Sequence, residues 1–135
     1  FAHVFGCDPV FIQDNKAYVT IHQGDRCGQN GNLLQIIDIS QIQSPQLIKE
    51  YEMHKPIGLS LQDNYLYLCE SDQGVKVFDV SDPLAINQLN NLNQSDAIDV
   101  ITTQSNMITV GNGGINQYDI QDKANPRLLS TITIN

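Results

Sequence analysis

One short phrase recurs three times along the chain. Ile36-Ile37-Asp38-Ile39-Ser40 returns as Val77-Phe78-Asp79-Val80-Ser81 and again as Gln117-Tyr118-Asp119-Ile120-Gln121. The aspartates stand 41 and 40 residues apart. A period of about forty residues, filled with short runs of β-branched and aromatic side chains, requires one supersecondary unit to be repeated and stacked on its neighbours.

The rest of the period repeats as well. Each unit opens with an apolar run: Val10-Phe11-Ile12, Leu59-Ser60-Leu61 and Val100-Ile101-Thr102. A polar turn follows at Asp14-Asn15, Asp63-Asn64 and Ser105-Asn106. Asp and Asn suit tight turns because they tolerate left-handed backbone and bond their own main chain. An alternating strand comes next (Ala17–Ile21, Leu66–Cys69, Met107–Val110), then a glycine-bearing loop and the strand that holds the repeated aspartate. The chain breaks near Pro45, Pro83 or Pro126, and a fourth strand closes the unit. No segment sustains helical periodicity. The reading is therefore all-β, with about three four-stranded antiparallel blades of a larger β-propeller. The blades are expected at 8–55, 56–96 and 97–135, and residues 1–7 read as the end of a preceding blade's outer strand. Three blades do not close a ring, which takes roughly four to eight. The outermost faces are then expected to be apolar and in need of cover from further blades, a second copy or a partner.

Charge narrows the choice of partner. The net charge is −8, from 15 acidic and 7 basic residues. Nucleic-acid binding needs clustered lysine and arginine, so that class is set aside, as is electrostatic docking to anionic lipid. No run approaches the about eighteen apolar residues of a membrane-spanning helix.

The three cysteines are Cys7, Cys27 and Cys69. Cys27 sits in the extended loop between the second and third strands of the first blade, and Cys69 ends the second strand of the next blade. Those two places share one side of a ring, so a Cys27–Cys69 disulfide is geometrically allowed. The alternatives are a Cys7–Cys27 pair, or a buried Cys69 thiol beside an exposed Cys27.

Catalytic signals are weak. His3, His22 and His54 fall at unrelated points of the repeat, and no serine sits in a nucleophile elbow. Glu70 and Asp72 are the nearest thing to a carboxylate pair, but a hairpin loop is where solvated carboxylates are expected. An enzyme working at the propeller axis would use Asp8 and Asp99. Calcium needs roughly six to eight oxygens. Neither Asp25 with Asn30 and Asn32, nor Glu70 with Asp72, has the density for that, so no metal, cofactor or catalytic residue is expected. Gly111-Asn112-Gly113-Gly114 lacks the lysine and following helix of a phosphate loop and reads as a turn. Asp38, Asp79 and Asp119 read as structural turn residues that accept backbone N–H groups just past the strand. The loop 22–32 is much longer than its counterparts, and Gln23, Asp25, Arg26, Gln29 and Asn30 are its candidate partner contacts.

Several motifs together resemble the LVIVD repeat. Val75-Lys76-Val77-Phe78-Asp79-Val80-Ser81-Asp82-Pro83 carries its hydrophobic run, Asp-x-Ser and Asp-Pro. Leu34–Ser40 with Ser44-Pro45-Gln46-Leu47, and Ile120 to Pro126, carry other parts. More narrowly, Arg26-Cys27-Gly28, Gly58-Leu59, Gly74-Val75-Lys76-Val77-Phe78-Asp79 and Gln117-Tyr118-Asp119 look like a group of LVIVD-repeat lipoproteins common in Bacteroidota. Blade two departs with Ile86-Asn87 in place of Asn-Pro, and blade three with Gln117 in place of an apolar residue. The resemblance implies an exported propeller at the outer membrane or cell surface, tethered by lipid upstream of this chain. In that setting the chain is expected to bind another protein of a cell-envelope assembly without catalysis. The second expectation is a carbohydrate-binding accessory lipoprotein, which requires exposed aromatics from among Tyr51, Tyr65, Phe78 and Tyr118.

Overall fold

A computed structural model describes residues 9–23, 31–93 and 95–134. It is all-β, with three separate four-stranded antiparallel sheets and no helix among the described residues. The first sheet runs β1 (Val10–Gln13), β2 (Lys16–Ile21), β3 (Leu33–Asp38), β4 (Gln46–Glu52) in spatial order. The second is β5 (Leu59–Gln62), β6 (Tyr65–Cys69), β7 (Val75–Asp79), β8 (Asn87–Leu92). The third is β9 (Asp99–Thr102), β10 (Asn106–Gly111), β11 (Gly114–Asp119), β12 (Arg127–Thr133). Each sheet is a meander, as expected of a blade.

Local chemistry sets the hairpins. Asp14 and Asn15 have φ of 52° and 59°, the left-handed pair that joins two right-twisted strands in a two-residue turn. Asp63 repeats this at φ 54°. Gly74 and Gly114 open the third strand of their blades with positive φ, and a Cβ on either would run into the outer strand's carbonyl at Leu92 or Ile132. All three blades carry a register shift at the same place in the third-to-fourth strand pairing. It falls at Ile36/Ile37, Val77/Phe78 and Gln117/Tyr118. A bulge of this kind adds twist and re-aims the side chains beyond it.

Packing follows the alternation. Tyr18, Leu34 and Ile36 of the first blade meet Leu59, Leu61, Leu66, Leu68, Phe78 and Val80 of the second. The opposite side of the second blade (Tyr67, Cys69, Val75, Val77) meets Ala97, Val100, Met107, Tyr118 and Ile120 of the third. The second blade thus buries one set of side chains against its predecessor and another against its successor. Burying one such side chain is worth about 1.5–3 kcal/mol. The first strands lie innermost: β1 touches β5, and β5 touches β9. At that joint Gly58 N–H donates to Ile98 O at 2.9 Å. The outer strands β4, β8 and β12 are largely exposed.

Candidate functional site

The inner strands border an open cleft of about 410 Å³, lined in part by Phe11, Leu59, Ser60, Asp99 and Thr102. Its polar atoms are engaged with one another or with backbone. Ser60 Oγ and Thr102 Oγ1 lie 2.8 Å apart, and Asp99 Oδ1 accepts its neighbour Val100 N–H at 2.9 Å. Among the described residues the hydrogen-bond partner of the Ser60 hydroxyl is Thr102, not a histidine or a carboxylate. Asp8, the other axial carboxylate singled out from the sequence, lies outside the described residues.

Glu70 corrects a sequence expectation. A carboxylate in the β6–β7 hairpin loop was expected to be solvated, yet Glu70 is fully buried. The loop is folded under the linker between the first two blades. The Glu70 carboxylate accepts the backbone N–H of His54 at 3.1 Å and of Lys55 at 3.2 Å. Lys76 Nζ donates to its other oxygen at 2.5 Å. Two otherwise orphaned linker donors and a cation thus converge on one buried acceptor, the condition under which burying a charge is tolerated. From the opposite side Thr20 Oγ1 donates to Ile57 O at 2.5 Å, so the linker is gripped by both blades it joins. Asp72 is spatially separate in role: it pairs with His54 Nε2 at 3.0 Å, and that bond holds its pKa below the ordinary carboxylate value. Glu70 and Asp72 therefore form a clamp and a surface pair, not a shared acid–base site. The sequence signal for Glu70, visible only in retrospect, is Lys76 six residues on in the adjoining strand.

The repeated aspartates all make the same bond. Asp38 Oδ1 accepts Ser40 N–H at 2.8 Å, Asp79 Oδ1 accepts Ser81 N–H at 2.9 Å, and Asp119 Oδ1 accepts Gln121 N–H at 2.8 Å. The backbone N–H of Ser40 lowers the pKa of Asp38, and that of Ser81 lowers Asp79. Asp119 Oδ2 additionally accepts from Arg127 at 3.1 Å.

Of the loop residues singled out from the sequence, Gln23 is described and its N–H donates to Asn32 Oδ1 at 3.0 Å. Asp25, Arg26, Gln29 and Asn30 lie outside the described residues, as do Cys7 and Cys27. Cys69 is fully buried beneath the third blade, and burial pushes its thiol well above the ordinary cysteine value. Among the described residues no three His, Cys, Asp or Glu side chains are grouped to hold a metal ion. The aromatics do not make an exposed row: Phe78 and Tyr118 are buried, and the Tyr51 hydroxyl is spent on Pro83 O. Apolar side chains do remain outside on one rim, where Ile42 is 83% and Leu84 62% exposed on the β3–β4 and β7–β8 turns.

The profile of the LVIVD repeat matches this chain at residues 27–53 and again at 57–93. A search among curated proteins finds no match. Among solved structures, the computationally designed Ika8 protein superposes with a TM-score of 0.66 at 19% identity, over 91% of this chain. The chain spans 35% of that designed protein's length, and the likeness is one of fold.

Proposed function

This is an LVIVD-repeat protein, and from that premise we propose that it serves as a non-catalytic interaction module of an exported, lipid-tethered cell-surface protein, binding another protein of the cell envelope. The observation that carries the reading is the placement of Ile42 and Leu84. Two large apolar side chains are held in solvent on successive turns of one rim, each braced by an aspartate-capped turn. Rigid turns on a stacked scaffold are where repeat proteins place contact residues. Polar groups at the axis bond to each other, which supports binding over chemistry.

The test is photo-crosslinking in native envelopes, with a photoreactive amino acid at Ile42 or Leu84 of the full-length protein. The expected result is a stoichiometric adduct to one envelope protein, lost on Ile42→Asp together with Leu84→Asp. A protein that instead carries tightly held polysaccharide and no protein adduct overturns the reading.

A further inference from the structure

Asparagine followed by glycine is the pair in which a side-chain amide is most easily lost. No side chain on the second residue hinders its backbone nitrogen from reaching the amide carbon. Among the described asparagines only Asn112 is followed by glycine; the other such pair, Asn30-Gly31, begins outside the described residues. Asn112 and Gly113 form the two-residue turn between β10 and β11, closed by the Gly111–Gly114 pair, and both are exposed. Other asparagines are tied down: Asn90 Nδ2 donates to Ala124 O at 3.1 Å, and Asn116 Nδ2 to Ser95 Oγ at 2.9 Å. Among the described residues neither the Asn112 carboxamide nor the Gly113 N–H has a hydrogen-bond partner. A Cβ on Gly113 would meet nothing within 4 Å, so the space around this peptide unit is open.

The same turn holds a joint. Asn112 N–H donates to Asp96 Oδ2 at 3.0 Å, in the linker between the second and third blades. Ile98 N–H of that linker donates to Val110 O at 2.7 Å. Gly111 lies so close that a Cβ there would stand 2.2 Å from Asp96 O. The arrangement mirrors the Glu70 clamp with the roles exchanged. At the first linker the carboxylate is on the hairpin and the N–H groups are on the linker; at the second the carboxylate is on the linker and the N–H on the hairpin.

We infer that Asn112 is a site of spontaneous deamidation, and that the isoaspartyl product formed there releases the linker between the second and third blades. The Gly113 nitrogen attacks Asn112 Cγ. An N–Cγ bond forms, and the carboxamide nitrogen leaves as ammonia with the proton that Gly113 gives up. Water then opens the cyclic imide at either carbonyl. Opening at Cγ gives aspartate; opening at the main-chain carbonyl gives isoaspartate, with the chain routed through Cβ and Cγ. Both products place a new carboxylate beside Asp96, where like charges repel. The isoaspartyl form also adds a carbon to the backbone of a two-residue turn, which the Gly111–Gly114 pairing and the Asn112–Asp96 bond do not accommodate. The reaction needs no partner and so stands apart from the envelope-partner reading.

The test is incubation of the full-length protein in mildly alkaline buffer, with peptide mapping by mass spectrometry at intervals. The expected result is progressive conversion of Asn112 to the acid mass, with most of the product labelled by an isoaspartyl methyltransferase. Gly113→Ala places its Cβ in open space at a φ outside the left-handed region. It is expected to keep the wild-type circular dichroism and to slow the conversion several-fold. Hydrogen exchange reads the linker: the Ile98 amide is expected to lose protection in the aged wild-type protein and to keep it in Gly113→Ala incubated alongside. Asn112→Asp supplies the charge without the extra backbone carbon, and is expected to loosen Ile98 less than ageing does. An Asn112 that stays intact while the urea-unfolded protein converts there overturns the inference. So does equal conversion in Gly113→Ala, an Ile98 amide as protected after ageing as before, or an Asn112→Asp protein as loose as the aged one.

Discussion

Tyr67 and Ile108 occupy the same register position in adjacent blades and meet opposite fates. Tyr67 is fully buried at the joint with the third blade, and its hydroxyl donates to Lys123 O at 2.8 Å. Ile108 faces solvent from the next sheet. Both are large and apolar, and both sit on a second strand between equivalent positions of the first and third strands, Ser60 and Val77 for Tyr67, Ile101 and Gln117 for Ile108. Burial here is thus decided by whether another sheet arrives, not by the residue or its strand. Local sequence builds each blade, and the neighbour determines what a side chain on its face is worth.

The comparison can be broken most sharply at the closed joint. Tyr67→Ala removes a buried ring and leaves Lys123 O without its donor, and is expected to cost about 4 kcal/mol of unfolding free energy, read by urea denaturation. A loss within the range of a surface change would mean that the second joint is not held by its apolar core. Next in size is Glu70→Ala. It strands Lys76 and two linker N–H groups, and its expected cost is about 3 kcal/mol, since breaking a buried pair by removing one partner leaves the other uncompensated. Retained stability would show that the linker does not depend on the clamp.

Acid sharpens the contrast between joints and turns. The folded-state pKa values of Asp38 and Asp79 lie below their unfolded ones, so their contribution is complete above the unfolded value of about 4 and is lost as pH falls through the folded values. Stability is expected to decline from about pH 4 downward, and Asp38→Asn/Asp79→Asn is expected to flatten that acid limb without altering the neutral plateau's apolar core. An acid limb identical in the double variant would assign the decline to other carboxylates. The smallest effect is expected at the exposed side of the third sheet: Ile108→Ala shifts stability by less than about 0.5 kcal/mol. A value approaching that of Tyr67 would mean that the face is covered within a single chain.

Much of the fold was legible because its signals are local. The Asp-Asn turns, the period-two strands and the aspartate phrase each lie within a few residues, and each recurs. Glu70 was not legible, because its partners at His54 and Lys55 lie in the linker and meet it only when two blades pack. A carboxylate between two strands carries no mark that distinguishes a solvated loop from a buried clamp. The aromatics were only partly readable for a similar reason. Phe78 is buried by its predecessor and Tyr118 likewise, which no property of those residues alone specifies.

The shared bulge bears on ancestry. A one-residue irregularity is an accident of a particular strand, and nothing about antiparallel pairing requires it between the third and fourth strands. It nevertheless occupies the same step in every sheet, at Ile36/Ile37, Val77/Phe78 and Gln117/Tyr118. Three separate origins at one register step are less economical than a single origin followed by tandem gene duplication. The kink is then older than the copies, and the differences among them, from the long loop of the first to the glutamine of the third, are later divergence.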